Sequence, residues 1–179
     1  MKTYISFLRG VNVGGKMLSM EKLKVLYTSM NLKNVRTYIN SGNIIFTSNL
    51  SEEELTNKIE DKIKKNFGME VDVMIRTKEE LTLLLKTNPY NRKNTEGKYL
   101  AIGLFKNKII SQEKESLKKG LSGKEVYNII GREIFICYPD GQATTKFSGA
   151  FIEKTLKTRV TIRNLNTMNK LLELSKVFN

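Results

Sequence analysis

The chain is 179 residues long and 40% hydrophobic, with 31 Lys and Arg against 18 Asp and Glu, a formal net charge of +13 and a pI near 9.7. It has no histidine, no tryptophan and one cysteine, Cys137. That excludes histidine acid–base chemistry, Ser-His-Asp triads, His-ligated metals, an internal disulfide and a cysteine zinc site, so no metal and no cofactor is expected. No apolar run approaches the roughly 20 residues that span a bilayer, and the opening Tyr4-Ile5-Ser6-Phe7-Leu8-Arg9 is too soon charged for a signal peptide; a cytoplasmic protein without membrane association is expected.

Tyr4–Leu8 reads as a strand ending in Arg9-Gly10. Ser19 caps a helix that carries Met20, Leu23, Leu26, Tyr27 and Met30 at helical spacing. Val35–Ile39 and Ile44–Thr47 are strands joined through Asn40-Ser41-Gly42-Asn43, a hairpin signal. Ser51-Glu52-Glu53-Glu54 is a capping box, followed by Leu55, Ile59, Ile63 and Phe67 and stopped by Gly68. A strand over Val71–Ile75 and a helix from Thr77 through Leu81, Leu84 and Leu85, halted before Pro89, complete the first half.

Asn88–Lys98 is polar and aperiodic and reads as a linker. The same element order then recurs: a strand at Leu100–Phe105, a helix at Ser111–Lys119 ended by Gly120, strands at Val126–Ile130 and Ile134–Tyr138, a helix capped by Ser148 with Phe151, Ile152 and Leu156, a strand at Arg159–Ile162, and a closing helix with Leu165, Met168, Leu171 and Leu172. The predicted fold is α+β, two consecutive ferredoxin-like subdomains (β-α-β-β-α-β plus an α-helix) over residues 1–87 and 99–179, with 88–98 between them. Apolar residues stand on both sides of the strands: Ile5 and Phe7 against Tyr4 and Leu8, and Val71, Val73 and Ile75 against Met74. These sheets are therefore expected to be covered on both faces.

In that topology the end of the first strand and the hairpin between the second and third meet at one sheet edge. Two polar runs converge there: Arg9-Gly10-Val11-Asn12-Val13-Gly14-Gly15-Lys16 and Tyr38-Ile39-Asn40-Ser41-Gly42-Asn43. Arg9 and Lys16 supply charge, Asn12, Asn40 and Asn43 amides, Ser41 a hydroxyl, Tyr38 a phenol, and Gly14-Gly15 backbone N–H groups suited to an anion. The alternative is that the glycines and asparagines only shape turns. Gly10, four residues, Gly15 and Lys16 match P-loop spacing, but Met17 stands where a Mg²⁺-binding hydroxyl is required, and antiparallel hairpins contradict that fold.

An RNA-recognition module shares the element order. Its third strand needs a basic-glycine-aromatic pattern, and Asn43-Ile44-Ile45-Phe46-Thr47 lacks it. A second polar cluster is Arg159, Arg163, Asn164 and Asn166, where alternation puts Arg159, Thr161 and Arg163 on one side and an asparagine caps the last helix. Residues 1–87 hold 14 basic and 10 acidic residues, residues 88–179 hold 17 and 8. That excess keeps open a second partner, nucleic acid bound without sequence preference through the basic half. A third reading is an assembly protein with no ligand.

Leu8-Arg9-Gly10-Val11-Asn12-Val13-Gly14-Gly15, Val35 through Phe46, Asn88-Pro89-Tyr90 and Arg163-Asn164-Leu165-Asn166-Thr167 resemble, in order and over nearly the whole chain, a bacterial domain-of-unknown-function family, number 1697. The resemblance implies two ferredoxin-like subdomains and no accepted activity, cofactor or catalytic residue. This chain has Leu165 where the family carries an aromatic residue, which weakens any stacking role there. The best functional expectation is a site for a small anionic, phosphate-bearing ligand at the loop edge of the first subdomain.

Overall fold

The computed structural model describes residues 1–12, 17–90, 96–110, 115–121, 123–142 and 145–178. It is a mixed α+β structure with two four-stranded antiparallel sheets. The chain divides into two compact units, Met1–Leu84 with Lys170–Asn179, and Leu85–Asn169.

In the first unit the strands β1 (Lys2–Leu8), β2 (Lys33–Tyr38), β3 (Asn43–Ser48) and β4 (Val73–Thr77) lie in the order β2-β3-β1-β4. Helices α1 (Met20–Ser29) and α2 (Glu52–Phe67) precede β2 and β4, and α3 (Lys78–Lys86) follows. Tyr4, Leu8, Ile44, Phe46, Val73 and Ile75 pack with Leu23, Tyr27, Leu55, Ile59 and Ile63 into one core. Ile5, Phe7, Ile45 and Met74 on the opposite face are buried too, as the two-sided apolar pattern required. Ser19 and Ser51 cap their helices as expected, and Ser51 forms the full capping box with Glu54.

Tyr27 is completely buried, and its hydroxyl lies 2.9 Å from Ser6 Oγ; burial pushes its phenol far above the usual range. This bond fixes α1 to β1. Tyr27→Phe is expected to cost about 1 kcal/mol in urea denaturation, the ordinary net worth of one buried hydrogen bond, because Ser6 keeps only a weak 3.4 Å contact to the Ile44 carbonyl.

The second unit repeats the plan. Strands β5 (Leu100–Phe105), β6 (Val126–Ile130), β7 (Glu133–Cys137) and β8 (Val160–Asn164) are ordered β6-β7-β5-β8. Phe105, Leu117, Ile134, Ile136, Phe147, Ile152 and Leu156 form the core against α4 (Gly149–Leu156), and α5 (Leu165–Ser175) follows β8. Of the helix expected over Ser111–Lys119, residues 111–114 lie outside the described residues, and Glu115–Gly120 is a 3-10 helix. Such a short, glycine-ended piece favours the tighter turn.

The repeat reaches individual residues. β4 begins at Val73 and β8 at Val160, both later than periodicity indicated, and each of those N–H groups donates to a helix glutamate, Glu60 at 2.7 Å and Glu153 at 2.9 Å. Both strands end in Ile-Arg and then a helix cap. Thr77 and Glu80 cap each other, and Asn164 Oδ1 accepts the Thr167 N–H. Arg76 and Arg163 each donate to the carbonyl of the isoleucine before them, at 2.7 and 2.9 Å.

The division falls inside α3 and α5, and the last ten residues return to the first unit. Their anchors are long-range: Thr3 Oγ1 donates to the Phe178 carbonyl at 3.0 Å, and the Arg36 guanidinium lies 5.1 Å from the Phe178 ring centroid. Part of the expected linker, residues 91–95, lies outside the described residues. Among the described residues no helix is long and apolar enough to cross a membrane.

Candidate functional site: the loop edge of the first unit

The end of β1 is held from both sides. The Leu8 N–H donates to the Gly42 carbonyl at 2.8 Å and the Arg9 N–H to the Asp72 carbonyl at 2.9 Å. Beyond it the chain turns through left-handed Gly10 (φ 70°) and Asn12 (φ 58°), residue types that tolerate this region. The Asn12 carboxamide then makes three bonds. Its Oδ1 accepts the Leu18 N–H at 2.7 Å, and its Nδ2 donates to the carbonyls of Leu18 at 3.0 Å and Asn40 at 2.6 Å. The last bond crosses from one polar run to the other.

The hairpin is built as firmly. Asn43 is fully buried, and its Nδ2 donates to the Tyr38 carbonyl at 3.2 Å and to Ser41 Oγ at 2.8 Å. Gly42 sits in the left-handed region at φ 74° with its Cα directed at Leu8 and Val11. Ile39 is also left-handed, at φ 49°, while half-exposed. A β-branched residue is a true outlier there, and such strain of about 1–2 kcal/mol persists only where the surroundings impose it.

Arg9, Asn12, Tyr38, Asn40, Ser41 and Asn43 therefore share one edge. Gly14, Gly15 and Lys16 lie outside the described residues. Within the edge the roles divide. Asn12 and Asn43 spend their amides on the scaffold, so they position the loops. Exposed Asn40 and half-buried Arg9, Tyr38 and Ser41 are the polar groups at its surface.

In the second cluster each residue has its own local partner. Arg163 and Thr161 do share a side, joined by a 2.8 Å bond from the guanidinium to Thr161 Oγ1, and burial draws the Arg163 pKa down to about 10. Asn164 caps α5. Asn166 lies against Gly97, filling the place a side chain there would take. Arg159 precedes β8, is 61% exposed, and sits 3.6 Å from Glu153. Sequence reading also missed Arg76, 1% exposed in the first unit. The signal was present in the paired strings Val73-Met74-Ile75-Arg76-Thr77 and Val160-Thr161-Ile162-Arg163-Asn164.

No curated protein matches the chain. Among solved structures it is similar to the conserved bacterial protein SP0830 from Streptococcus pneumoniae, at 26% sequence identity and a TM-score of 0.72, covering 98% of this chain and 99% of that one. The model of a family described as "Protein of unknown function (DUF1697)" matches residues 1–135, which include the whole loop edge. With three quarters of its length matched, from β1 into β7, the chain belongs to that family of proteins of unknown function.

Proposed function

We propose that the first unit binds a small, phosphate-bearing anion at this loop edge. The observation that carries the reading is the 2.6 Å bond from Asn12 Nδ2 to the Asn40 carbonyl, which makes the two polar runs one preorganised surface. Arg9 supplies a cation that is already half-buried, and the sequence adds Lys16, outside the described residues, as a second positive charge. Ser41 and Tyr38 supply hydroxyls. The frame is read as ferredoxin-like in both units; each sheet has the strand order of that fold, with the first strand between the third and fourth. In it the first strand end and the hairpin share an edge by topology, and strain at Ile39 marks the same edge.

A thermal-shift screen of sugar phosphates, nucleotides and short oligonucleotides tests the proposal. A phosphate compound at about 100 times its dissociation constant adds roughly 2.7 kcal/mol, about 5–10 °C for a chain of this size. Arg9→Ala and Lys16→Ala are each expected to remove most of that shift while leaving the circular dichroism spectrum unchanged. Equal shifts in wild type and both variants would sink the proposal. A response to oligonucleotides alone, lost as salt rises, would transfer function to the basic surface.

A further inference from the structure

We propose that the second unit carries a separate anion site at the turn between α4 and β8, shaped for the phosphate of a small phosphomonoester or pyrophosphate. A concavity of about 460 Å³ there is lined by Ala150, Glu153, Lys154, Lys157, Thr158 and Arg159, a size in the range of small-ligand sites. It presents three cations and one carboxylate. Glu153 is committed to the turn: one oxygen accepts the Val160 N–H at 2.9 Å, the other lies 3.6 Å from the Arg159 guanidinium, and the side chain is 11% exposed. Lys154, Lys157 and the Thr158 hydroxyl have no hydrogen-bond or ion-pair partner among the described residues. Lys154, Lys157, Arg159 and Thr158 all line this one hollow, and together they offer two ammonium groups, a guanidinium and a hydroxyl, the donor set that a phosphate accepts from.

Cations at a helix C-terminus also complement its dipole, and the internal repeat separates that explanation from a site. The matching helix of the first unit, α2, ends on left-handed Gly68 (φ 66°), and of the two lysines in its last turn, Lys64 and Lys65, the first is neutralised by Glu70 at 2.8 Å. α4 ends instead on Lys157, held left-handed at φ 49°, where glycine fits without strain. Among the described residues no acid answers Lys154 or Lys157. The dipole accounts for a lysine near the end of α4. It does not account for a lysine in the one position where the backbone favours glycine. Arg159, grouped by sequence with Arg163, belongs by placement with these lysines.

The site does not depend on the loop edge of the first unit, and calorimetric titration of the full chain with pyrophosphate at low salt distinguishes the two. Lys157→Gly removes a cation and relieves the left-handed backbone, so its Tm should equal or exceed that of wild type while pyrophosphate affinity at this site falls at least tenfold. Lys154→Ala, at an exposed helix position, should weaken binding without changing the fold and serves if Lys157→Gly behaves poorly. Arg9→Ala should leave this site intact. Wild-type affinity in both lysine variants, loss of all pyrophosphate binding in Arg9→Ala alone, or binding of oligonucleotides but not pyrophosphate would each overturn the proposal.

Discussion

Arg76→Ala is expected to destabilise the first unit by about 3–5 kcal/mol, the cost of removing one large buried side chain from a packed, ion-paired setting. Arg76 is 1% exposed and opposes Ile5 across the β1–β4 register, on the face that also buries Phe7, Ile45 and Met74. Its guanidinium donates to the Ile75 carbonyl at 2.7 Å and lies 3.8 Å from the Glu52 carboxylate. Glu52 is 31% exposed, so water can take up its charge once the arginine is gone. The direct ion pair is therefore the smaller part of the cost. Packing and the abandoned carbonyl are the larger part. Arg76→Met, which keeps most of the volume, should then recover about half of the loss. Urea denaturation followed by circular dichroism measures both variants. A loss below about 1 kcal/mol for Arg76→Ala would show that the buried guanidinium is not structural, and equal losses in the two variants would assign the cost to its hydrogen bonds.

Element order was legible because it rests on local chemistry. Ser19, Ser51, Thr77 and Ser148 all cap the helices they were expected to cap, and apolar spacing picked the core residues of α1 and α2. What escaped depends on contacts distant in sequence. No local pattern announces that Glu60 and Glu153 hold the starts of β4 and β8, or that Phe178 bonds back to Thr3. At the candidate site, topology and turn residues foretold that two polar runs would meet. They did not foretell that Asn12 and Asn43 use their amides to hold those runs together, because composition does not distinguish a scaffold asparagine from one that meets a ligand. Left-handed Ile39 had no signal either, since its residue type argues against that backbone. Arg76 was hidden by reading each half alone. Setting Val73-Met74-Ile75-Arg76-Thr77 beside Val160-Thr161-Ile162-Arg163-Asn164 would have exposed it.

Gly42→Ala is expected to cost about 2–5 kcal/mol, more than a turn glycine ordinarily costs, because two penalties add. The first is backbone: at φ 74° an L-residue loses roughly 1–2 kcal/mol. The second is space. A β-carbon on Gly42 would collide with Val11 Cγ2 and sit 2.8 Å from Leu8 Cβ, and both neighbours are buried core side chains that cannot swing into solvent. Overpacking of that kind costs about 1–3 kcal/mol. Gly10 separates the two penalties. It is left-handed at φ 70°, yet a β-carbon there meets nothing within 4 Å, so Gly10→Ala should show the backbone cost alone. Gly42→Asn sharpens the test further, since asparagine tolerates the left-handed region and still brings the colliding β-carbon. It should remain well below wild type in stability, whereas a shape-neutral turn would accept it. The close approach of Gly42 seats the hairpin on Leu8, whose N–H donates to the Gly42 carbonyl. Forcing the two apart must therefore also shift Asn40 away from Asn12, and Gly42→Ala should lose ligand-induced thermal stabilisation beyond its own loss of Tm. If stability falls while the ligand-induced shift stays whole, the hairpin is seated for the fold alone, and the proposed site reduces to the Arg9 run.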